Sequence, residues 1–193
     1  MTRILLIRHS APDIAPNHCY GQLDVLAEST GLTQVVTKLS AQLAALSIDR
    51  IICSPLQRCS QLADALGLAQ VVEYQTWLKE INFGLWEGQG WDTIPAADLQ
   101  AWADNLSTFR LGRTGETVTE FRTRVLNAWQ QLCALPEQEN TIVCICHAGV
   151  IRTIVGEVQN LAIEQSMKLP LNMGSLTSLK IHSQGVTLEY TNR

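Results

Sequence analysis

The sequence predicts an α/β fold around a sheet covered on both faces, and three observations predict it. Short apolar, β-branched runs alternate with longer segments of helical periodicity. Those runs are almost continuously apolar rather than alternating, which is the pattern of strands buried on both sides. Finally, 193 residues with 46% apolar and 17% charged side chains can bury a sizeable core in one domain.

Ile4 to Ile7 reads as the first strand, and it stops abruptly at Arg8-His9. Gln34 to Leu46 places Val35, Val36, Leu39, Leu43 and Leu46 at helical spacing. "RIIC", Arg50 to Cys53, is a second strand. In the segment after it, Ser54 suits an N-cap, Pro55 a first helical position and Gly67 a C-terminal stop. Val71 to Tyr74 is a third strand and "TIVCIC", Thr141 to Cys146, a fourth. "HAGVIRTIVGEV" then opens another helix. Thr177 to Ile181 and Val186 to Tyr190 close the chain as a pair of strands around Ser183-Gln184-Gly185.

Between Gly84 and Leu135 the rhythm breaks. A helix is predicted near Trp91 to Asn105. Another follows the capping-box pattern Thr117-x-x-Glu120 and carries Val118, Phe121, Val125, Trp129 and Leu132. The chain thus reads as one domain, 1–193, with a helical insertion at about 85–135 over one end of the sheet.

A net charge of −4 does not suggest nucleic acid or an anionic membrane as partner, so any anion must be held by a few placed cations. Cys19, Cys53, Cys59, Cys133, Cys144 and Cys146 form no CxxC pair. Four of them sit in apolar segments, where a thiol behaves as a small hydrophobe, and no zinc motif is expected. Arg8 interrupts the N-terminal apolar run, and no apolar stretch is long enough for a membrane span, so a reducing cytoplasm is the expected setting.

The polar residues fall where the strands end. Arg8-His9 closes the first strand, Cys53-Ser54 the second with Arg58 soon after, and Cys146-His147 the fourth. Open α/β sheets bind ligands at the carboxyl ends of their strands. Two guanidiniums, two imidazoles and the helix start at Ala148-Gly149 would there suit a tetrahedral anion. A neutral His in that cluster can attack phosphorus, and Glu80 in "WLKEINFGLWEG" fits as proton donor, with Glu87 a competitor. Taken singly, each of these residues has an ordinary structural reading. Trp86, Trp91 and Trp102 read as packing residues, and His18 and His182 as structural or exposed.

"LIRHSAPD", "SPLQRCSQLA", "LKEINFGLWEG" and "CHAGVIR" occur in an order that resembles the histidine phosphatase superfamily, the phosphoglycerate mutase-like fold. The resemblance implies a three-layer α/β/α sandwich with a mostly parallel central sheet. It implies His9 as the nucleophile that becomes phosphohistidine, and Arg8, Arg58 and His147 as holders of the phosphoryl oxygens. Glu80 would protonate the leaving group and then activate water, with no metal and no cofactor. Ser10, Ala11 and Pro12 follow His9, and Ala15 stands where the commonest pattern has Asn, which puts the mutase contacts in doubt. "RHSAPDIAPNHCYGQLDVLA" is instead similar to the α-ribazole phosphatase branch, which removes the 5′-phosphate of α-ribazole phosphate in assembly of the cobalamin nucleotide loop. A small phosphate ester is thus the expected partner; oligomeric state is not legible. Phosphatase action on other small esters, a phosphoglycerate mutase and a non-catalytic phospho-ligand module remain open. Tyr20, Gly21, Gln22, Glu116 and Ala148 are candidate substrate contacts, Gly21 for close backbone approach. Glu116 reads more readily as a first-turn helix acid than as a ligand contact.

Overall fold

The computed structural model describes residues 1–68, 71–134 and 140–193. Six strands form one sheet in the order β3-β2-β4-β1-β5-β6. They are β1 (Thr2–Arg8), β2 (Arg50–Cys53), β3 (Val72–Tyr74), β4 (Asn140–Cys146), β5 (Leu176–His182) and β6 (Gly185–Tyr190). The first four run parallel, β5 is antiparallel to β1, and β6 is antiparallel to β5.

Alternation along β1 divides the core. Leu5 and Ile7 pack with Val35, Leu39 and Leu43 of α1 (Ser29–Ala44) and Leu62 of α2 (Gln57–Ala65). Ile4 and Leu6 pack on the other face with α4 (Val118–Cys133) and α5 (Ala148–Val158), through Phe121, Val125, Trp129, Ile151 and Ile154. The expected three layers are present.

Helix α1 starts at Ser29, ahead of the expected Gln34. Glu28 caps it by accepting from Thr30 N at 2.7 Å and Gly31 N at 2.6 Å, before the apolar stripe begins. Gly67 ends α2 as expected, with φ +75° just past the last turn. The α2 start differs from expectation. The helix begins at Gln57 with Leu56 at the N-cap position, and Ser54 does not cap it. The Ser54 hydroxyl is instead bonded to a side chain from β4's far end, described below.

The 85–135 segment has two fates. Helix α3 (Ala96–Asp104) and its flanking turns gather Trp86, Ile94 and Leu111 around Cys19 in a small core of their own, with Phe83, Trp91 and Trp102 packed against it. Helix α4 belongs to a main layer. Its capping box is formed, Thr117 accepting from Glu120 N at 3.1 Å and Glu120 from Thr117 N at 2.9 Å. The expected boundary at Leu135 lies outside the described residues. A short α6 (Ile163–Met167) packs on α5.

Ile145 is fully buried at the sheet centre, while Leu85 is 59% exposed. Ile145→Ala is expected to lower stability by roughly 2–5 kcal/mol and Leu85→Ala by no more than about 0.5. Equilibrium urea unfolding checks both.

Candidate active site

The parallel register gathers the site. Arg8 of β1 lies opposite Cys146 of β4, and Cys53 of β2 opposite Ile145. The residues that follow these strands, His9, Ser54 and His147, therefore enter one region, and Arg58 reaches it from the first turn of α2.

The His9 backbone is pinned, its N–H donating to Cys146 O at 3.0 Å and its carbonyl accepting from Gly174 N at 3.1 Å. Nδ1 lies 2.6 Å from the Ser10 carbonyl, an oxygen that only accepts, so Nδ1 carries the proton. Nε2 keeps its lone pair and accepts from Arg58 Nε at 3.3 Å. The ring is 2% exposed. Burial, then the Arg58 charge, push its pKa well below 6.5 despite the Ser10 carbonyl; Arg8 adds to the depression. The outcome is a neutral imidazole with a nucleophilic nitrogen available at neutral pH.

His147 is the N-cap residue of α5, its ring centroid 5.0 Å from that of His9. Its pKa is also held well below 6.5, by burial first and then by Arg58, His9 and Arg8.

Arg58 is fully buried without a salt bridge among the described residues. Carbonyls hold it instead: Nη2 donates to Gly21 O at 2.6 Å and Nη1 to Leu23 O at 3.0 Å. Its guanidinium lies over the Tyr20 ring. Arg8 donates from Nη1 to the Leu171 carbonyl, and its buried Nε–H has no partner among the described residues. Two cations beside two neutral imidazoles leave uncompensated positive charge, which an anion would neutralise.

A cavity of about 400 Å³ opens beside them, lined by Arg8, His9, Glu80, Ala148 and Gly149 on its polar side. Glu80 is half-buried. Oε2 accepts from Gly149 N and Oε1 from Ile81 N, both at 3.0 Å. The helix start at Ala148-Gly149, expected to meet the ligand, thus gives its Gly149 N–H to Glu80. Glu87 is not part of the lining; its Oε1 accepts from Gln22 N at 2.8 Å and Phe83 N at 2.9 Å and ties two loops together.

Of the candidate substrate contacts, Tyr20 and Ala148 line the cavity. Gly21, Gln22 and Glu116 do not, and each has a packing reason. A Cβ on Gly21 would sit 1.9 Å from the Ile81 carbonyl, so close backbone packing requires the glycine. Gln22 Nε2 donates to the Glu80 carbonyl at 3.1 Å. Glu116 precedes the N-cap of α4 and pairs with Arg124 through Nε and Nη2, both at 2.9 Å, so it is neither a first-turn acid nor a cavity residue. Arg58 and His147 stand behind the lining, next to His9.

Sequence reasoning missed Arg122 and Arg152, which line the cavity from α4 and α5; Trp91 and Trp102, read as packing residues, pack as expected and also line it, as does His18, read as structural or exposed. Burial and the Arg8 charge lower the Arg152 pKa, with Glu80 opposing. The available signal was helical phase: Arg122 lies four residues after Val118 and Arg152 four after Ala148, each pair on one helix face.

The family model of the histidine phosphatase superfamily (branch 1) matches residues 4–193. The chain belongs to this superfamily. A protein of Schizosaccharomyces pombe named "Probable phosphatase" is 29% identical over 158 residues, covering 79% of this chain and 71% of its own. The superfamily fold recurs in the α-ribazole phosphatase of Shigella flexneri, at TM-score 0.87 and 23% identity, covering 99% of this chain and 96% of that one. It recurs again in mycobacterial glucosyl-3-phosphoglycerate phosphatase, at TM-score 0.81 and 25% identity, covering 98% of each. The chain is a phosphatase of this superfamily.

Both imidazoles titrate lower in the folded state than in the unfolded chain, where His titrates near 6.5. Below pH 6.5 the unfolded chain therefore binds more protons. Stability is complete above that pH and falls as pH drops, by up to roughly 1.4 kcal/mol per pH unit per histidine. Urea unfolding at pH 7.5, 6.0 and 5.0 should show the slope, and His9→Asn combined with His147→Asn should flatten it.

Proposed function

We propose that this phosphatase is a metal-independent phosphomonoesterase that works through a phosphohistidine at His9. The observation that carries the reading is the lone pair of His9 Nε2, held unprotonated beside the buried Arg58 guanidinium at the edge of a cavity that Arg8 and Glu80 also line. In the first step Nε2 bonds to phosphorus, the ester P–O bond breaks, and the leaving oxygen takes the proton from the Glu80 carboxyl. In the second, the Glu80 carboxylate removes a proton from water, whose oxygen attacks phosphorus and breaks the P–N bond. Inorganic phosphate leaves and His9 is restored. Arg8, Arg58 and His147 stabilise the charge that gathers on the equatorial oxygens.

The best substrate in this reading is α-ribazole 5′-phosphate. Tyr20, Phe83, Trp91, Trp102 and Phe121 give the cavity an aromatic wall suited to a flat, apolar heterocycle, and the loop after β1 resembles the α-ribazole phosphatase branch. The likeness in fold to a protein of that name adds support. A phosphatase for other small esters is the second reading, favoured by Arg122 and Arg152, whose charge suits polar leaving groups as well. Six free cysteines fit a reducing compartment, and we assign the chain to the cytoplasm. No helix among the described residues is long and apolar enough to cross a membrane.

Phosphate release is to be measured with chelator present, from α-ribazole 5′-phosphate, 3-phosphoglycerate and an aryl phosphate. His9→Ala should abolish release from all three, and Arg58→Ala should lower kcat about 10²–10³-fold. A large preference for the ribazole ester, with a KM that Trp102→Ala raises selectively, supports the pathway. Similar weak rates on all three keep the mechanism and move the substrate to the second reading. No release that depends on His9 would remove the catalytic reading.

A further inference from the structure

The environment of His147 contains one hydroxyl that the proposed reaction does not use. Ser54 is fully buried, and its Oγ lies 2.8 Å from His147 Nε2. The two residues are 93 positions apart, so the contact is tertiary and not a by-product of local turn geometry. Ser54 leaves its expected place as the cap of α2, which begins at Gln57, and turns its side chain toward β4.

Three groups face this hydroxyl. The Leu56 N–H points to Oγ at 3.4 Å, so Oγ is already an acceptor there. The Cys59 thiol is the second neighbour, 3.5 Å from His147 Nε2 and 3.6 Å from the Cys146 carbonyl. The thiol's proton has two acceptors within reach, that carbonyl and Nε2, and sulfur is itself only a weak acceptor. His147 Nε2 is the third neighbour, the closest and the strongest acceptor of the set. If Nε2 carried a proton, the fully buried Ser54 hydroxyl would lose its strongest acceptor, and His147 Nδ1 would hold a lone pair in place of a donor N–H.

We infer that Ser54 is a positioning residue that fixes the protonation pattern of His147: its hydroxyl donates to Nε2 and so places the ring proton on Nδ1. The chain of bonds runs from Leu56 N–H through Ser54 O–H to His147. At its end a neutral imidazole offers an N–H donor to the phosphoryl group. His147 then needs no positive charge to act, which suits a site already holding Arg8 and Arg58. This role rests on the phosphohistidine reading, but the tautomer can be read without any turnover.

The test is ring ¹H–¹⁵N correlation spectroscopy of the full chain, whose four histidines give few signals, with His147 assigned by its loss in His147→Gln. In the wild type, His147 should be protonated at Nδ1 and bare at Nε2. In Ser54→Ala the Nε2-protonated form should appear and kcat should fall roughly tenfold, the loss of about one hydrogen bond. Ser54→Thr, which keeps a hydroxyl, should restore both. A wild-type ring protonated at Nε2 overturns the inference directly, whether or not any variant folds. A Ser54→Ala protein with the wild-type tautomer overturns it as well. If His9→Ala retains full turnover while the tautomer is as described, the phosphohistidine reading fails and the assignment of Ser54 to the ring stands.

Discussion

The register between β1 and β4 is the constraint on which the site depends. Seven paired residues end with Arg8 opposite Cys146, so both strands release the chain at the same level. A shift by one residue would turn every side chain of β1 to the wrong layer. Ile4 and Leu6 would lose α4 and α5, and His9 would no longer meet His147. Fold and chemistry therefore share one determinant. The packing that makes the sandwich stable is also what brings two imidazoles from distant segments to a centroid separation of 5.0 Å.

Burial then sets the chemistry. An imidazole in water is half protonated near pH 6.5 and is a poor nucleophile below it. Here desolvation and two guanidiniums keep both rings neutral. The guanidiniums are held mainly by main-chain carbonyls: those of Gly21, Leu23 and Leu171. Carbonyl dipoles stabilise the cations without neutralising them, as a carboxylate would. The positive field is left for an incoming anion, and the imidazole proposed as nucleophile is left unprotonated.

The strands and the strand-end residues were legible because burial on both faces writes continuous apolar runs, and a polar residue at the end of such a run stands out. The α4 capping box was legible because it is a local pattern four residues long. Ser54 was misread for the same reason. Its hydroxyl fits a helix cap locally, and its partner, 93 residues on at the start of α5, is beyond the reach of any local pattern. Gly21, Gln22 and Glu116 were read as candidate ligand contacts, Glu116 more readily as a helix acid, because a residue that braces a site and one that touches a ligand look alike in one dimension. Arg122 and Arg152 were missed because a cation beside a core position reads as a snorkelling side chain until the facing wall is known.

The bracing residues explain how the general acid proposed here is held in place. Glu80 has no regular element of its own, since it follows the short turn Thr76–Leu78. Its carboxylate is fixed by the first turn of α5, and its carbonyl by Gln22 and Arg124. Arg124 in turn is held by Glu116, which also accepts from the Asn82 amide. Glu87 closes the set by binding both Gln22 and Phe83. Three segments are thus stitched by side chains to main-chain groups around one carboxylate. The cavity lining places that carboxylate on the same space as His9, so an ester bound between them would meet a nucleophile anchored by the sheet and an acid anchored by this network. A change at Gln22, Glu87 or Glu116 would then act on the geometry of Glu80 without touching the ligand.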